Sequence, residues 1–379
     1  MASNGPLLVL NKELRGGKPR HYNLLQNDCG VVYSTLMPTV QPPQQFLDDF
    51  ISQAKHARTR IFIQSMIFER GNALSKLEPI ILQKAKEGLD VRVTIDWVAR
   101  RYVHDDLSVL PPLSPSKRAY KAKVHKENSA LIERWTKNGV VFTHTNIPNF
   151  LLSPLTILRR NHSKLFIIDD SAAWIGGVNL FDVAMGWIDF MVKFTDTSTI
   201  APLSHQYGKV NHNRPADNYS VQCTPKNKLL IDAGRIGDSL IYAEAIDCIK
   251  QAKQTIIFAS QFLPDHDLLH ELIKASKRGI TITVITSNKD YKLFQTLPYK
   301  PFYNFSKHEL DKFNIEIVHQ RTKVHAKLII VDNKVALFGS HNFVHSGAIL
   351  GTEEIAMRTE EAGLVKQLKD FINTNTSTS

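Results

Sequence analysis

Two segments of the chain carry the same chemistry at the same spacing. His162, Lys164, Asp169, Gly176, Gly177 and Asn179 recur as His325, Lys327, Asp332, Gly339, Ser340 and Asn342 in the pattern His-x-Lys-x4-Asp-x6-Gly-[Gly/Ser]-x-Asn. Histidine titrates near neutrality and serves as nucleophile, acid or base. Lysine and asparagine supply donors that suit phosphate oxygens. Two such clusters meeting across a pseudo-two-fold axis make a phosphate site, in which the lysines and asparagines stabilise the charge of a pentavalent transition state. Two histidines on opposite sides suit in-line displacement. One, neutral, attacks phosphorus; the other, protonated, donates to the leaving oxygen. An alcohol or water then attacks the phosphohistidine, with the second histidine as base.

A carboxylate beside each imidazole would hold its tautomer and charge. Asp189 lies ten residues after Asn179, and Glu353 and Glu354 lie eleven and twelve after Asn342. Asp189 and Glu354 are the expected partners, with the choice between Glu353 and Glu354 open. A lone histidine is ordinarily a structural residue; the matching pairs of lysine and asparagine point to catalysis. No metal or other cofactor is expected, because lysine is interleaved with histidine and its ammonium is no routine ligand.

The elements that must position these residues follow from periodicity. Histidine and lysine two apart on a strand share a face. LFII and LIIV then read as buried strand, DDSAA and DNK as turns, and AAWI and VALF as return strands. The return brings Gly176 and Gly339 beside the His-Lys end, where glycine permits close approach of a ligand. Asp169 and Asp332 fall on the opposite parity, which fits a turn-stabilising role as well as a catalytic one. Upstream, Arg60–Phe68, Val91–Ile95, Thr255–Phe262 and Ile280–Thr286 are apolar, β-branched runs of strand length. Leu74–Lys86 and Leu268–Lys277 show helical spacing and end before Gly88 and Gly279.

These segments recur in the same order in both halves, so the chain reads as a duplication. The expected organisation is an extension over 1–44, a first lobe over 45–205, a linker over 206–230, a second lobe over 231–372 and a polar tail over 373–379. Each lobe is expected to be an α/β sheet covered by helices. The duplication removes the need for a dimer, so a monomer is expected.

With 379 residues and 43% hydrophobic content, the composition is globular. A net charge of +11 favours anionic partners such as nucleic acid, anionic lipid or phosphate esters. Cys29, Cys223 and Cys248 are far apart and form no CxxC, which suggests a reducing compartment. The apolar run Leu7–Leu10 is too short for a secretory signal, and no run reaches the length of a spanning helix. Lys117 to Lys137 fits both a membrane-facing and a solvated helix. The apolar stretch 148–158, which precedes Arg159 and Arg160, fits both a bilayer-dipping loop and a core strand.

The two copies resemble the paired HKD motifs of the phospholipase D superfamily, over residues 45 to 370. The resemblance implies a two-lobed α/β/α sandwich with pseudo-two-fold symmetry and the active site at the lobe interface. It also implies a metal-free mechanism, with His162 as nucleophile and His325 as general acid and base. RRNHSKLFIID, WIGGVN and IFIQSMIF are most similar to bacterial cardiolipin synthases. That implies a phosphatidyltransferase on phospholipid, with a hydrolytic phospholipase D or a metal-independent phosphodiesterase or nuclease of the same superfamily as the alternative. With the cysteine usage and the lack of a spanning run, the expected location is cytoplasmic and peripheral to an anionic membrane, with nucleic acid a less favoured partner. The second copy departs from those enzymes. Its motif continues HNFVHSGAIL, without the usual aspartate and Arg-Ser pair.

Overall fold

A computed structural model describes residues 37–97, 115–147, 159–210, 216–287 and 299–376. The first half runs β1 (Thr39–Gln41), α1 (Pro43–Lys55), β2 (Arg60–Ser65), α2 (Asn72–Lys86), β3 (Asp90–Asp96), α3 (Pro115–Lys137), β4 (Val141–Thr145), β5 (Leu165–Ile168), β6 (Ala172–Gly176), β7 (Met191–Phe194) and α4 (Thr197–Lys209). The second runs β8 (Tyr219–Thr224), β9 (Asn227–Ala233), α5 (Leu240–Gln251), β10 (Thr255–Ala259), α6 (His266–Lys277), β11 (Thr281–Ser287), α7 (Tyr299–Lys312), β12 (Glu316–Gln320), β13 (Leu328–Val331), β14 (Val335–Gly339), α8 (His345–Ile349), β15 (Glu353–Thr359) and α9 (Ala362–Asn375).

The first sheet has the order β4-β3-β2-β5-β6-β7-β1 and the second β12-β11-β10-β13-β14-β15-β9-β8. Strand for strand, the second repeats the first and adds β8 at one edge. In each, three parallel strands meet an antiparallel hairpin: β2 pairs with β5, and β10 with β13. Helices α2 and α6 end where Gly88 and Gly279 adopt φ of +88° and +85°, a conformation that closes a helix cheaply only for glycine.

The motif strands β5 and β13 are buried on both faces, which is why LFII and LIIV are apolar without interruption. Leu165 and Ile167 of β5, with Leu328 and Ile330 of β13, point into a core shared by the two sheets and filled out by Ile200, Leu203, Leu364 and Leu368 of α4 and α9. Phe166 and Ile168 point outward to α1, α2 and α3, against Phe46, Phe50, Leu77 and Trp135. Ile329 and Val331 point outward to α5, α6 and α7. The shared core fixes the halves against each other, and the motif ends of β5 and β13 with them.

Three expected boundaries are corrected. The stretch 206–230 is no linker: α4 runs to Lys209, and β8 and most of β9 fall within it, with Val221, Cys223, Leu229 and Ile231 alternating into the shared core. The first lobe begins at β1, which pairs with β7, rather than at residue 45. Residues 373–375 continue α9, and Asn375 Nδ2 donates to Phe371 O at 2.8 Å. Cys29 and the stretch 148–158 lie outside the described residues. Among the described residues, no helix is long and apolar enough to cross a membrane.

Candidate active site

Each motif histidine precedes its strand on an extended segment that pairs with the opposite half. Glu353 N donates to Arg160 O at 2.8 Å, and His162 N to Glu353 O at 2.9 Å. In the equivalent place, Ile188 N donates to Lys323 O and His325 N to Ile188 O, both at 2.9 Å. The residue after each stitch supplies a carboxylate. Glu354 of the second half lies 3.0 and 3.2 Å from His162 Nδ1, and Asp189 of the first half lies 2.6 Å from His325 Nδ1. The two expected acids therefore sit at the two expected histidines, but crosswise.

The Nδ1 contacts leave each Nε2 for chemistry. Lys164 and Lys327 are buried beneath the histidines, and their ammonium groups donate to His162 O and His325 O. Asn179 is turned by its own oxygen, which accepts from Ile67 N at 3.3 Å and Ser65 Oγ at 3.4 Å. Its amide donors are thereby left toward the cavity it lines. Asn342 also lines the cavity, and its carbonyl accepts from Ser260 Oγ at 2.9 Å.

The glycines serve neighbouring protein atoms, which corrects the expectation of ligand approach. A Cβ at Gly176 would lie 2.2 Å from Phe190 O, and one at Gly339 2.2 Å from Ile355 O, so both glycines allow close strand contact. A Cβ at Gly177 would lie 2.3 Å from Asp189 Oδ1. At the equivalent position Ser340 instead donates its hydroxyl to Glu354 Oε2. The Gly/Ser difference thus gives one carboxylate room and the other a hydrogen bond.

Asp169 and Asp332 stand at the far ends of β5 and β13. Asp169 accepts from the backbone N–H groups of Arg58, Thr59 and Arg60 at 2.8–2.9 Å, and Asp332 from those of Lys253, Gln254 and Thr255 at 2.7–2.9 Å. Both residues have left-handed backbone, φ 50° and 52°. They tie each hairpin turn to the entry of the neighbouring strand and do not line the cavity.

The two dyads differ electrically. Burial opposes ionisation of Glu354, but the charge and hydrogen bond of His162, aided by His341 and Lys164, hold its carboxyl down at about 2. Burial lowers His162 below its ordinary 6.5, against the pull of Glu354. In the other dyad burial pushes Asp189 up to about 7, opposed by Lys327, the Phe190 N–H and Lys164. Burial, then Lys327 and Lys323, push His325 well below its ordinary value. Trp187 adds to the enclosure, with its ring 5.0 Å from that of His325 and the Lys323 ammonium 3.7 Å from the centroid of the Trp187 ring. Burial thus favours the neutral form of both imidazoles, against the pull of Glu354 at His162, and favours the protonated form of Asp189.

Both histidines and both asparagines open on one cavity of about 550 Å³. Its remaining wall is largely apolar and comes mostly from the second half: Phe262, Leu263, Phe302, Val344, Ile349 and Leu350. His266 and His345 stack there with ring centroids 4.4 Å apart. Among the described residues no cluster of His, Cys, Asp and Glu could hold a metal ion.

Sequence reasoning did not find Ser340's bond to Glu354 or the enclosure by Trp187. It also missed a buried acid pair behind His162. Asp96 accepts from Asn161 N at 2.6 Å, and Glu353 is pushed up to about 8 by burial and then by Asp96. The adjacent acids of GTEEIAM were the signal: one faces the site and the other is its buried neighbour.

A duplicated α/β fold that brings two His-x-Lys motifs onto one cavity is the arrangement that the resemblance to the phospholipase D superfamily implies. Residues 245–375 match the family described as cardiolipin synthase, PLD-like domain. The chain is 24% identical over 337 residues to a cardiolipin synthase of Alkalihalophilus pseudofirmus, covering 84% of this chain and 61% of that protein. It is 26% identical over 314 residues to the major cardiolipin synthase of Bacillus subtilis, covering 77% and 59%. It thus spans about three fifths of the length of these relatives. Among solved structures, its fold is similar to phosphatidylserine synthase of Haemophilus influenzae, with a TM-score of 0.68 at 14% identity, covering 91% of this chain and 88% of that one.

Proposed function

We propose that this protein is a phosphatidyltransferase of cardiolipin synthase type, which moves a phosphatidyl group between alcohols through a phosphohistidine. The observation that carries the reading is the pair of crossed histidine–carboxylate dyads on one cavity with an apolar wall. The likeness to cardiolipin synthases and the net charge of +11 support an anionic phospholipid substrate, met at the membrane surface. One chain supplies both dyads, so the site is complete in a monomer.

In the first step Nε2 of His162 attacks phosphorus. The P–N bond forms, the P–O bond to the leaving alcohol breaks, and the leaving oxygen takes a proton from the Asp189–His325 pair. Glu354 accepts Nδ1–H of His162 and stabilises the positive charge that develops on the ring. The donors of Asn179 and Asn342, with the Lys164 and Lys327 charges beneath, stabilise the transition state. In the second step the hydroxyl of an acceptor lipid attacks phosphorus as the Asp189–His325 pair takes its proton. The P–N bond breaks, and His162 is restored.

The test is purified protein incubated with phosphatidylglycerol vesicles, with products read by mass spectrometry. Cardiolipin and glycerol are expected, and His162→Ala should form neither. Phosphatidic acid in place of cardiolipin would make water the acceptor and the protein a hydrolase. No lipid turnover at all would contradict the reading.

A further inference from the structure

The cavity that holds the dyads opens on a surface that is unusually apolar. Phe302 and Ile349, which line it, are 56% and 40% exposed. Phe305, one helical turn from Phe302 on α7, is 62% exposed. Pro301, Phe302 and Phe305 border a groove of about 310 Å³ that shares Asp265, His266 and Ser306 with the main cavity. On the other side of the mouth, Gly237 N donates to Ile349 O at 3.0 Å, which brings the loop before α5 against α8. That loop carries Ile236, 52% exposed. Four of the nine exposed large apolar side chains among the described residues thus stand at one opening. Scattered singly they would need no explanation; gathered at a mouth they mark an interaction surface.

We infer that the α7–α8 face, through Phe302, Phe305, Ile236 and Ile349, seats the protein on a lipid bilayer with the cavity mouth against the acyl region. The inference rests on the phosphatidyltransferase reading, in which both substrates are lipids. The occupant is chosen by continuity: Phe302 and Ile349 are at once outer surface and cavity wall. A protein partner bound there would stopper the cavity. A bilayer would feed it, because a lipid moving from membrane to site would keep its chains on apolar surface throughout. Aromatic side chains are also suited to the bilayer interface, where a large apolar ring can be buried without a full span. Lys307 and Lys312 of α7 are paired within the helix to Asp311 and Glu309, so this face offers apolar surface more than charge.

The experiment compares the full chain with Phe305→Asp and Ile236→Asp, neither of which alters a residue lining the main cavity, and with Val141→Asp on β4 as a surface control. Sedimentation with phosphatidylglycerol vesicles should show binding weakened roughly tenfold or more by either of the first two changes and left intact by the third. Turnover on vesicles should fall in parallel, while turnover on a short-chain, monomeric phosphatidylglycerol stays at the wild-type rate. Unchanged vesicle binding in both variants would overturn the inference. So would loss of a wild-type dimer in analytical ultracentrifugation, which would make the patch a contact between copies. Should the wild type turn over neither lipid form, the phosphatidyltransferase reading falls, and the vesicle-binding comparison still decides the docking surface. Thermal melts of both variants separate loss of binding from loss of fold.

Discussion

Asp189 belongs to the first sheet, and the imidazole it holds, 2.6 Å from its Oδ2, is that of His325 in the second. Glu354 returns the arrangement by holding His162. Neither half has a complete dyad, so the proposed reaction would require the two halves to be docked. The shared core of β5, β13, α4 and α9 is then a functional element as well as a structural one.

The division of labour predicts a dependence on leaving group. Removing the acid should matter most where the departing oxygen needs a proton. Asp189→Asn is expected to lower turnover of a phosphatidyl alcohol by about a hundredfold or more, within the usual range for general acid–base catalysis. Release of nitrophenolate from a nitrophenyl phosphodiester, which departs without protonation, should fall far less. Glu354→Gln impairs the nucleophile and should slow both substrates alike. Steady-state rates on the two substrates check this.

The pH dependence follows from the same groups. His162 must be neutral to attack, and its proton is held more weakly than at 6.5, so the acid limb should lie below that value. The Asp189–His325 pair must carry a proton to act as acid, and with Asp189 raised to about 7 the rate should fall as pH rises through that region. Asp189→Asn should remove or displace the alkaline limb and leave the acid limb. Profiles of kcat for the wild type and this variant provide the measurement.

Glu353 predicts a stability effect separate from chemistry. Its folded-state carboxyl is raised from 4.5 to about 8 by burial and the Asp96 charge. The folded chain therefore keeps a proton that the unfolded chain releases above about 4.5. Stability should fall as pH rises from there through about 8, by up to about 1.4 kcal/mol per unit, and then level off. Glu353→Gln should flatten this slope and melt higher than wild type at alkaline pH. Thermal unfolding across pH 5 to about 9 tests it.

Asp169 and Asp332 predict the opposite dissociation of stability from activity. Each satisfies three backbone N–H groups at a strand entry. Their replacement by Ala should cost about 1–3 kcal/mol in denaturant unfolding. Turnover per folded molecule, assayed well below the melting temperature, should stay within a few-fold of wild type.

Much of this site was legible in the residues. The twin spacing placed both His-Lys-Asn sets, and the similar offsets of Asp189 and Glu354 from Asn179 and Asn342 marked the acids. Their crossing was not legible, because separation along the chain does not say which strand lies opposite. Strands β8 and β9 were hidden by Pro225 and the polar residues of YSVQCTPKNK, although Val221, Cys223, Leu229 and Ile231 alternate as an inward face should. Gly176 and Gly339 were read toward a ligand, whereas the backbone of β7 and β15 occupies the space. Nothing local in a sequence reports that kind of packing.

The most direct test of the account is to quench the reaction with a phosphorus-labelled phosphatidyl donor and locate the label by peptide mass spectrometry. The account predicts phosphatidyl on a ring nitrogen of His162 and on no other residue. It also predicts no label in His162→Ala, and more label in His325→Ala with an activated donor, because the base that discharges it is gone. Label on His325 with none on His162, or full turnover by His162→Ala, would contradict it.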